Sequence, residues 1–178
     1  PHRVNRECPV AKLCGGCDFW HMDYEEETRL KAERVRQTLN RIGGENLTKV
    51  PILAAPTCKD YRNKAQYPIG TDKEGNPVAG FYAGRTHSII ANTDCYLGVE
   101  ENKEILEIIL DYMKKNKVSA YDETSGKGLV RHVLIRKGFT SGELMVCLVV
   151  NYRGKKVPAD LNAGQKVMYL PAQDLSLI

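Results

Sequence analysis

The stretch Gly128-Leu129-Val130-Arg131-His132-Val133-Leu134-Ile135-Arg136-Lys137-Gly138-Phe139-Thr140-Ser141-Gly142-Glu143-Leu144-Met145-Val146-Cys147-Leu148-Val149-Val150-Asn151-Tyr152 decides the fold. Two Val-, Ile- and Leu-rich runs, 129–137 and 143–152, flank Thr140-Ser141-Gly142. Such runs around a Gly-containing turn read as an antiparallel hairpin. One face of the first run carries Val130, His132, Leu134 and Arg136; the other carries Leu129, Arg131, Val133, Ile135 and Lys137. Basic groups therefore share the sheet with core residues.

Moving outward, a second β region begins near Arg62, where Ala65, Tyr67 and Ile69 alternate. The polar run Asp72-Lys73-Glu74-Gly75-Asn76-Pro77 turns the chain, residues 78–82 return it, and a third strand is expected over 86–91. Two helices are expected. The first starts at Asp23, with Glu26 completing a capping box, and ends at Gly43-Gly44; its stripe is Ala32, Val35, Leu39 and Ile42. The second spans 100–115 and should bury Ile105, Ile108, Ile109 and Tyr112. Neighbouring hairpins with few helices give an α+β fold, a mainly antiparallel sheet with flanking helices and an N-terminal cysteine loop. The expected organisation is a cysteine loop at 1–21, a helix at 22–44, an α+β domain at 45–152 and an unassigned segment at 153–178. The chain opens on Pro1 and ends on Leu175-Ser176-Leu177-Ile178, so it is expected to be part of a longer protein.

The 178 residues are 42% apolar and 27% charged, which excludes wholesale disorder. No run approaches the roughly 18 apolar residues of a spanning helix, and no basic-then-apolar leader opens the chain. A cytoplasmic location with no membrane contact is expected, where thiols stay reduced.

Six cysteines occur, at 8, 14, 17, 58, 95 and 147. Three fall together as Cys8-x5-Cys14-x2-Cys17, with Gly15-Gly16 inside the last interval. Two glycines let the backbone fold so that both thiolates face one inorganic centre. A four-ligand site needs one more donor. Cys95, in the polar turn Asn92-Thr93-Asp94-Cys95, is the first candidate; His21 and His87 are alternatives that would favour zinc. Cys147 alternates with Met145 and Val149 as a core thiol, and Cys58 is read as free. Tetrahedral zinc and [4Fe-4S] both fit this spacing. It is not the Cys-x3-Cys-x2-Cys of radical enzymes, so a structural or redox-sensing centre is expected.

The net charge is +4, and its distribution is uneven: between Lys127 and Lys156 there are seven basic residues and one acid, Glu143. Such a face attracts polyanions. Tyr61-Arg62-Asn63-Lys64 and Gly84-Arg85-Thr86-His87 add cations near Phe81 and Tyr82. Cations beside aromatic rings are what a single-stranded nucleic-acid groove uses. The candidate RNA-binding set is Arg62, Lys64, Arg85, His87, Arg131, His132 and Arg136. His21 and His132 have no carboxylate or nucleophile nearby in sequence and read as satisfied structural histidines. No Walker, GxGxxG, GxSxG or HExxH pattern is present, so no catalytic residue is assigned.

Taken together, Cys8-Pro9, Cys14-Gly15-Gly16-Cys17, His21-Met22-Asp23-Tyr24 and Leu39-Asn40-Arg41-Ile42-Gly43-Gly44 resemble the segment after the TRAM domain in 23S rRNA (uracil-5-)-methyltransferases of the RumA/TrmA family. The similarity continues through Tyr61-Arg62-Asn63-Lys64, Gly80-Phe81, Thr86-His87-Ser88-Ile89-Ile90, Asp94-Cys95, Gly128-Leu129-Val130-Arg131-His132 and Gly142-Glu143-Leu144-Met145-Val146. The resemblance implies that Cys8, Cys14, Cys17 and Cys95 ligate a [4Fe-4S] cluster. It further implies methyl transfer from S-adenosylmethionine to uridine C5 of 23S rRNA, with the S-adenosylmethionine-binding and catalytic domain outside these residues. This stretch alone would then be inactive, and the helix at 22–44 would pack on the catalytic domain. The alternative is a zinc-binding nucleic-acid recognition module without methyltransferase activity.

Overall fold

A computed structural model describes residues 2–151. Its elements, in chain order, are α1 Tyr24–Gly43, β1 Lys64–Thr71, β2 Pro77–Tyr82, β3 Ile89–Ala91, α2 Glu101–Lys115, β4 Val130–Lys137 and β5 Leu144–Val150. All five strands join one antiparallel sheet, ordered β3-β2-β1-β4-β5. This is the α+β architecture expected from the hairpin signals.

The turns follow from their residues. Asp72 Oδ1 accepts from the amides of Glu74 (3.0 Å) and Asn76 (2.7 Å), closing the β1–β2 turn around Gly75 at φ 85°. The β4–β5 turn closes with Gly142 at φ 72°, its amide donating to the Gly138 carbonyl at 2.7 Å. The third strand is shorter than expected. It begins at Ile89, because residues 83–88 turn back on themselves through the Thr86 amide to the Ala83 carbonyl and the Ala83 amide to the Ser88 carbonyl. The expected strand end at Tyr152 and the segment 153–178 lie outside the described residues.

The core forms where α2 lies on the sheet. Tyr67, Leu106, Met113, Val133 and Ile135 are all at most 2% exposed. The buried residues of α2 are Asn102, Leu106 and Met113. Ile105 and Ile109 flank that core, but Ile108 and Tyr112 are each 61% exposed, which corrects the expected stripe. The helix is rotated so that the line 102–106–113 points inward, with Ile105 and Ile109 at its edges and Ile108 and Tyr112 toward solvent. The Lys137 ammonium, paired with Glu101, holds the N-terminus of α2 against β4. Leu106→Ala is expected to cost about 2–5 kcal/mol, whereas Ile108→Ala should stay within about 0.5 kcal/mol. Urea midpoints at constant m-value check the pair.

Helix α1 forms where its caps predict. Asp23 Oδ1 accepts from the Glu26 amide at 2.7 Å, and Gly44 closes the helix at φ 70°. No residue of α1 is buried, and Val35, Leu39 and Ile42 are exposed. The helix is tethered to the following segment instead. Tyr24 Oη accepts from the Ala55 amide, and Asn40 exchanges two 2.9 Å hydrogen bonds with the Leu47 backbone. No described helix is long and apolar enough to cross a membrane.

Candidate metal centre and nucleic-acid interface

Residues 8–17 fold as a succession of turns. The Cys14 amide donates to the Val10 carbonyl at 2.8 Å, and Cys14 bridges Ala83 at the end of β2. Gly15 sits where the two backbones touch. A Cβ there would lie 3.1 Å from Gly84 Cα, so the glycine permits a close approach that other residues would force apart. Cys95 follows β3 in a turn closed by the Gly98 amide on its carbonyl at 2.9 Å. Trp20 meets Tyr96 edge-on, with centroids 5.0 Å apart, and joins the cysteine loop to the Cys95 turn.

These contacts bring Cys8, Cys14, Cys17 and Cys95 to the lining of one cavity, together with Arg62, Trp20 and Phe81. All four thiols are free and partly buried. Burial pushes the Cys17 thiol up, the Cys95, Cys14 and Cys8 sulfurs push it further, and Arg62 opposes them. Four thiols this near repel one another as thiolates unless a cationic centre neutralises them. The cavity is small, about 30 Å³. Among the described residues no group of three or more His, Cys, Asp or Glu is arranged to hold a metal ion. Thiolates around tetrahedral zinc, at about 2.3 Å from the ion, sit roughly 3.8 Å apart. The four thiols thus border a common space without converging on a point.

The donor set suits an iron–sulfur cluster: four thiols, no carboxylate in the lining, and a nearby guanidinium. Tyr67 and Asn102 are buried together beside the Cys95 turn. Burial and the Cys95 sulfur push the Tyr67 hydroxyl upward, and the Asn102 side chain opposes them. His21 is exposed and outside the cavity lining. Cys58 borders an adjoining cleft that also touches Cys17, and Cys147 is buried in β5.

The seven candidate RNA-binding residues separate into four places. Arg62 belongs to the cysteine cavity. Lys64 and Arg136 stand directly opposite each other on β1 and β4, and neither has a carboxylate partner among the described residues. Like charges facing across strands are destabilising unless an anion joins them. Arg85 is exposed on the 83–88 turn at φ 62°.

His87, Arg131 and His132 meet in a cleft with Tyr82, Tyr121 and Glu123. His87 Nδ1 lies 2.7 Å from Glu123 Oε2 and its ring stacks on Tyr82 at 5.2 Å, inclined 28°. The Arg131 guanidinium lies 4.4 Å from the Tyr121 ring centroid. Tyr121 and Glu123 were missed in the sequence. They lie in the 116–129 connection, and their partners are up to 36 residues away.

His132 corrects one expectation. It is not a satisfied structural histidine, because its Nδ1 is buried without a partner. Burial first, then the Arg131 guanidinium, push its pKa below the ordinary value near 6.5; Glu123 opposes them. The unfolded chain therefore binds this proton more readily than the folded one. The contribution to stability is complete above the unfolded value and is lost as pH falls below it. Wild-type protein should lose stability below about pH 6.5, in a component absent from His132→Gln, as read from urea midpoints against pH.

No protein-family model matches the chain. It is 41% identical over 150 residues to an uncharacterized RNA methyltransferase of Bacillus cereus, covering 84% of this chain and 32% of that protein. A Clostridium tetani RNA methyltransferase, also uncharacterized, is 38% identical over 157 residues, covering 88% of this chain and 34% of its own length. Over this span the chain is similar to RNA methyltransferases. It spans about a third of the length of the curated relatives it matches. Among solved structures, a tRNA (uracil-54, C5)-methyltransferase of Pyrococcus abyssi in complex with S-adenosyl-L-homocysteine superposes with a TM-score of 0.66 at 21% identity, over 84% of this chain and 34% of that one. That likeness establishes a shared fold. The similarity agrees with the RumA/TrmA resemblance read from the cysteine pattern together with the later sequence blocks.

Proposed function

We propose that the chain is the cluster-bearing, RNA-binding part of an S-adenosylmethionine-dependent enzyme that methylates uridine C5 in 23S rRNA, in the cytoplasm. The observation that carries this reading is the 38–41% identity to RNA methyltransferases over more than four-fifths of the chain. The uracil-5 assignment draws on the Pyrococcus abyssi enzyme's fold and on the cysteine pattern.

In this reading Cys8, Cys14, Cys17 and Cys95 hold a [4Fe-4S] cluster. Four thiolates leave it no open position, so when bound it supplies a covalent cross-link rather than an activated substrate. That cross-link ties a loop of turns to the Cys95 turn. Tyr67 and Asn102 are the buried polar residues beside the Cys95 turn. Arg62 neutralises charge at the cluster. Lys64, Arg85, Arg131 and Arg136 hold phosphates, and the rings of Tyr82, His87 and Tyr121 receive bases. The residues that bind S-adenosylmethionine and do the chemistry belong to the rest of the protein.

The test is methyl transfer from labelled S-adenosylmethionine by the full-length protein. 5-Methyluridine in 23S rRNA is the expected product, identified by mass spectrometry of digested nucleosides. Methylation of tRNA alone, or of another atom, contradicts the assignment.

A further inference from the structure

We propose that the cleft bounded by Tyr82, His87, Tyr121, Glu123, Arg131 and His132 holds one unstacked guanine of the RNA. This rests on the RNA-binding reading and adds a base identity to it.

The cleft measures about 420 Å³, within the range of small-ligand sites and suited to a single nucleotide. Its platform is already built, because the His87 ring is stacked on Tyr82 and its side chain is 77% exposed. The outer face of the imidazole is thus open to a further flat ring, and aromatic stacking is how proteins hold splayed bases. Arg131, laid over Tyr121, supplies a fixed cation for the adjoining phosphate.

The acidic residue sets the base. Glu123 Oε2 faces His87, and Oε1 has no hydrogen bond among the described residues. His87 and nearby Arg131 and His132 keep this carboxylate ionised. Its neighbour Asp122 is occupied by its own turn, accepting from the Thr124 amide and the Ser125 hydroxyl. Glu123 is therefore the carboxylate open to a ligand, and an ionised carboxylate only accepts. Guanine presents two adjacent donors, N1–H and the N2 amine, to such a group. Uracil has one N–H flanked by two carbonyls, while adenine and cytosine each set an acceptor nitrogen beside their amine. A half-exposed carboxylate in the wall of an RNA-binding cleft would repel phosphate, so a donor-rich base edge is the partner that suits its open oxygen. The buried, unpartnered His132 Nδ1 gives the floor one further polar contact.

The test uses full-length protein and uracil-rich single strands of about nine nucleotides, with G, A, C or U at the centre, read by fluorescence anisotropy. The G strand should bind about tenfold more tightly than the others. Glu123→Gln, a change at a half-exposed side chain that should leave the fold intact, should lower that ratio below about threefold. Equal affinity for all four strands, or an undiminished ratio in Glu123→Gln, overturns the guanine subsite while RNA binding stands. Failure of every strand to bind overturns the RNA-binding reading, and the subsite with it.

Discussion

Cys95→Ala protein, purified without oxygen, should contain less than about one iron per chain where the wild type contains about four, and should lose the broad absorbance near about 400 nm. The size of the effect follows from geometry. Three ligands from one ten-residue loop leave an iron corner open, and the loop has little regular structure to hold the cluster by itself. Cys95 is 78 residues beyond Cys17, so its loss also releases the loop from the Cys95 turn. Cys58→Ala is the control, because Cys58 borders a neighbouring cleft and not the four-thiol cavity. It should keep the full complement. Iron retained in Cys95→Ala, or lost equally in Cys58→Ala, would remove Cys95 from the ligand set.

The second large effect concerns RNA. Replacing Lys64, Arg131 and Arg136 together with Gln should weaken binding of single-stranded RNA about 100-fold at about 0.1 M salt. Each phosphate contact to a single strand releases about 0.7 of a counterion, roughly a fivefold effect at that salt, so three give about 100-fold and lower the log–log salt slope by about 2. Arg62 is left unchanged because it lines the cysteine cavity, and its loss would disturb cluster and RNA together. The facing pair Lys64 and Arg136 should be less strained after replacement, so the variant should be at least as stable as wild type. An unchanged slope would mean that RNA touches only other parts of the protein.

Much of the fold was legible in local patterns. The β4–β5 hairpin, the Asp72–Pro77 turn and the caps of α1 are set by residues a few positions apart, and short-range chemistry decides them. The orientation of α2 was not legible. Ile105, Ile108, Ile109 and Tyr112 make as good a helical stripe as the line through Leu106 and Met113, and only the sheet beneath centres the buried face on Leu106 and Met113, keeping Ile105 and Ile109 at its edge and leaving Ile108 and Tyr112 outside. At the cysteine loop, spacing drew attention to Cys8, Cys14 and Cys17, while the juxtaposition with Cys95 depends on Trp20 meeting Tyr96 and on β2 meeting Gly15. The aromatic cleft was half seen. His87, Arg131 and His132 stood out as cations or titratable groups, but Glu123 reads in sequence as one more surface acid until the fold sets it against His87.

The most direct measurement is the iron, zinc and acid-labile sulfide content of freshly purified anaerobic protein. The account predicts about four irons and about four sulfides per chain with negligible zinc. One zinc per chain with no sulfide would contradict it, leaving the four thiols as a zinc knot in place of a cluster site.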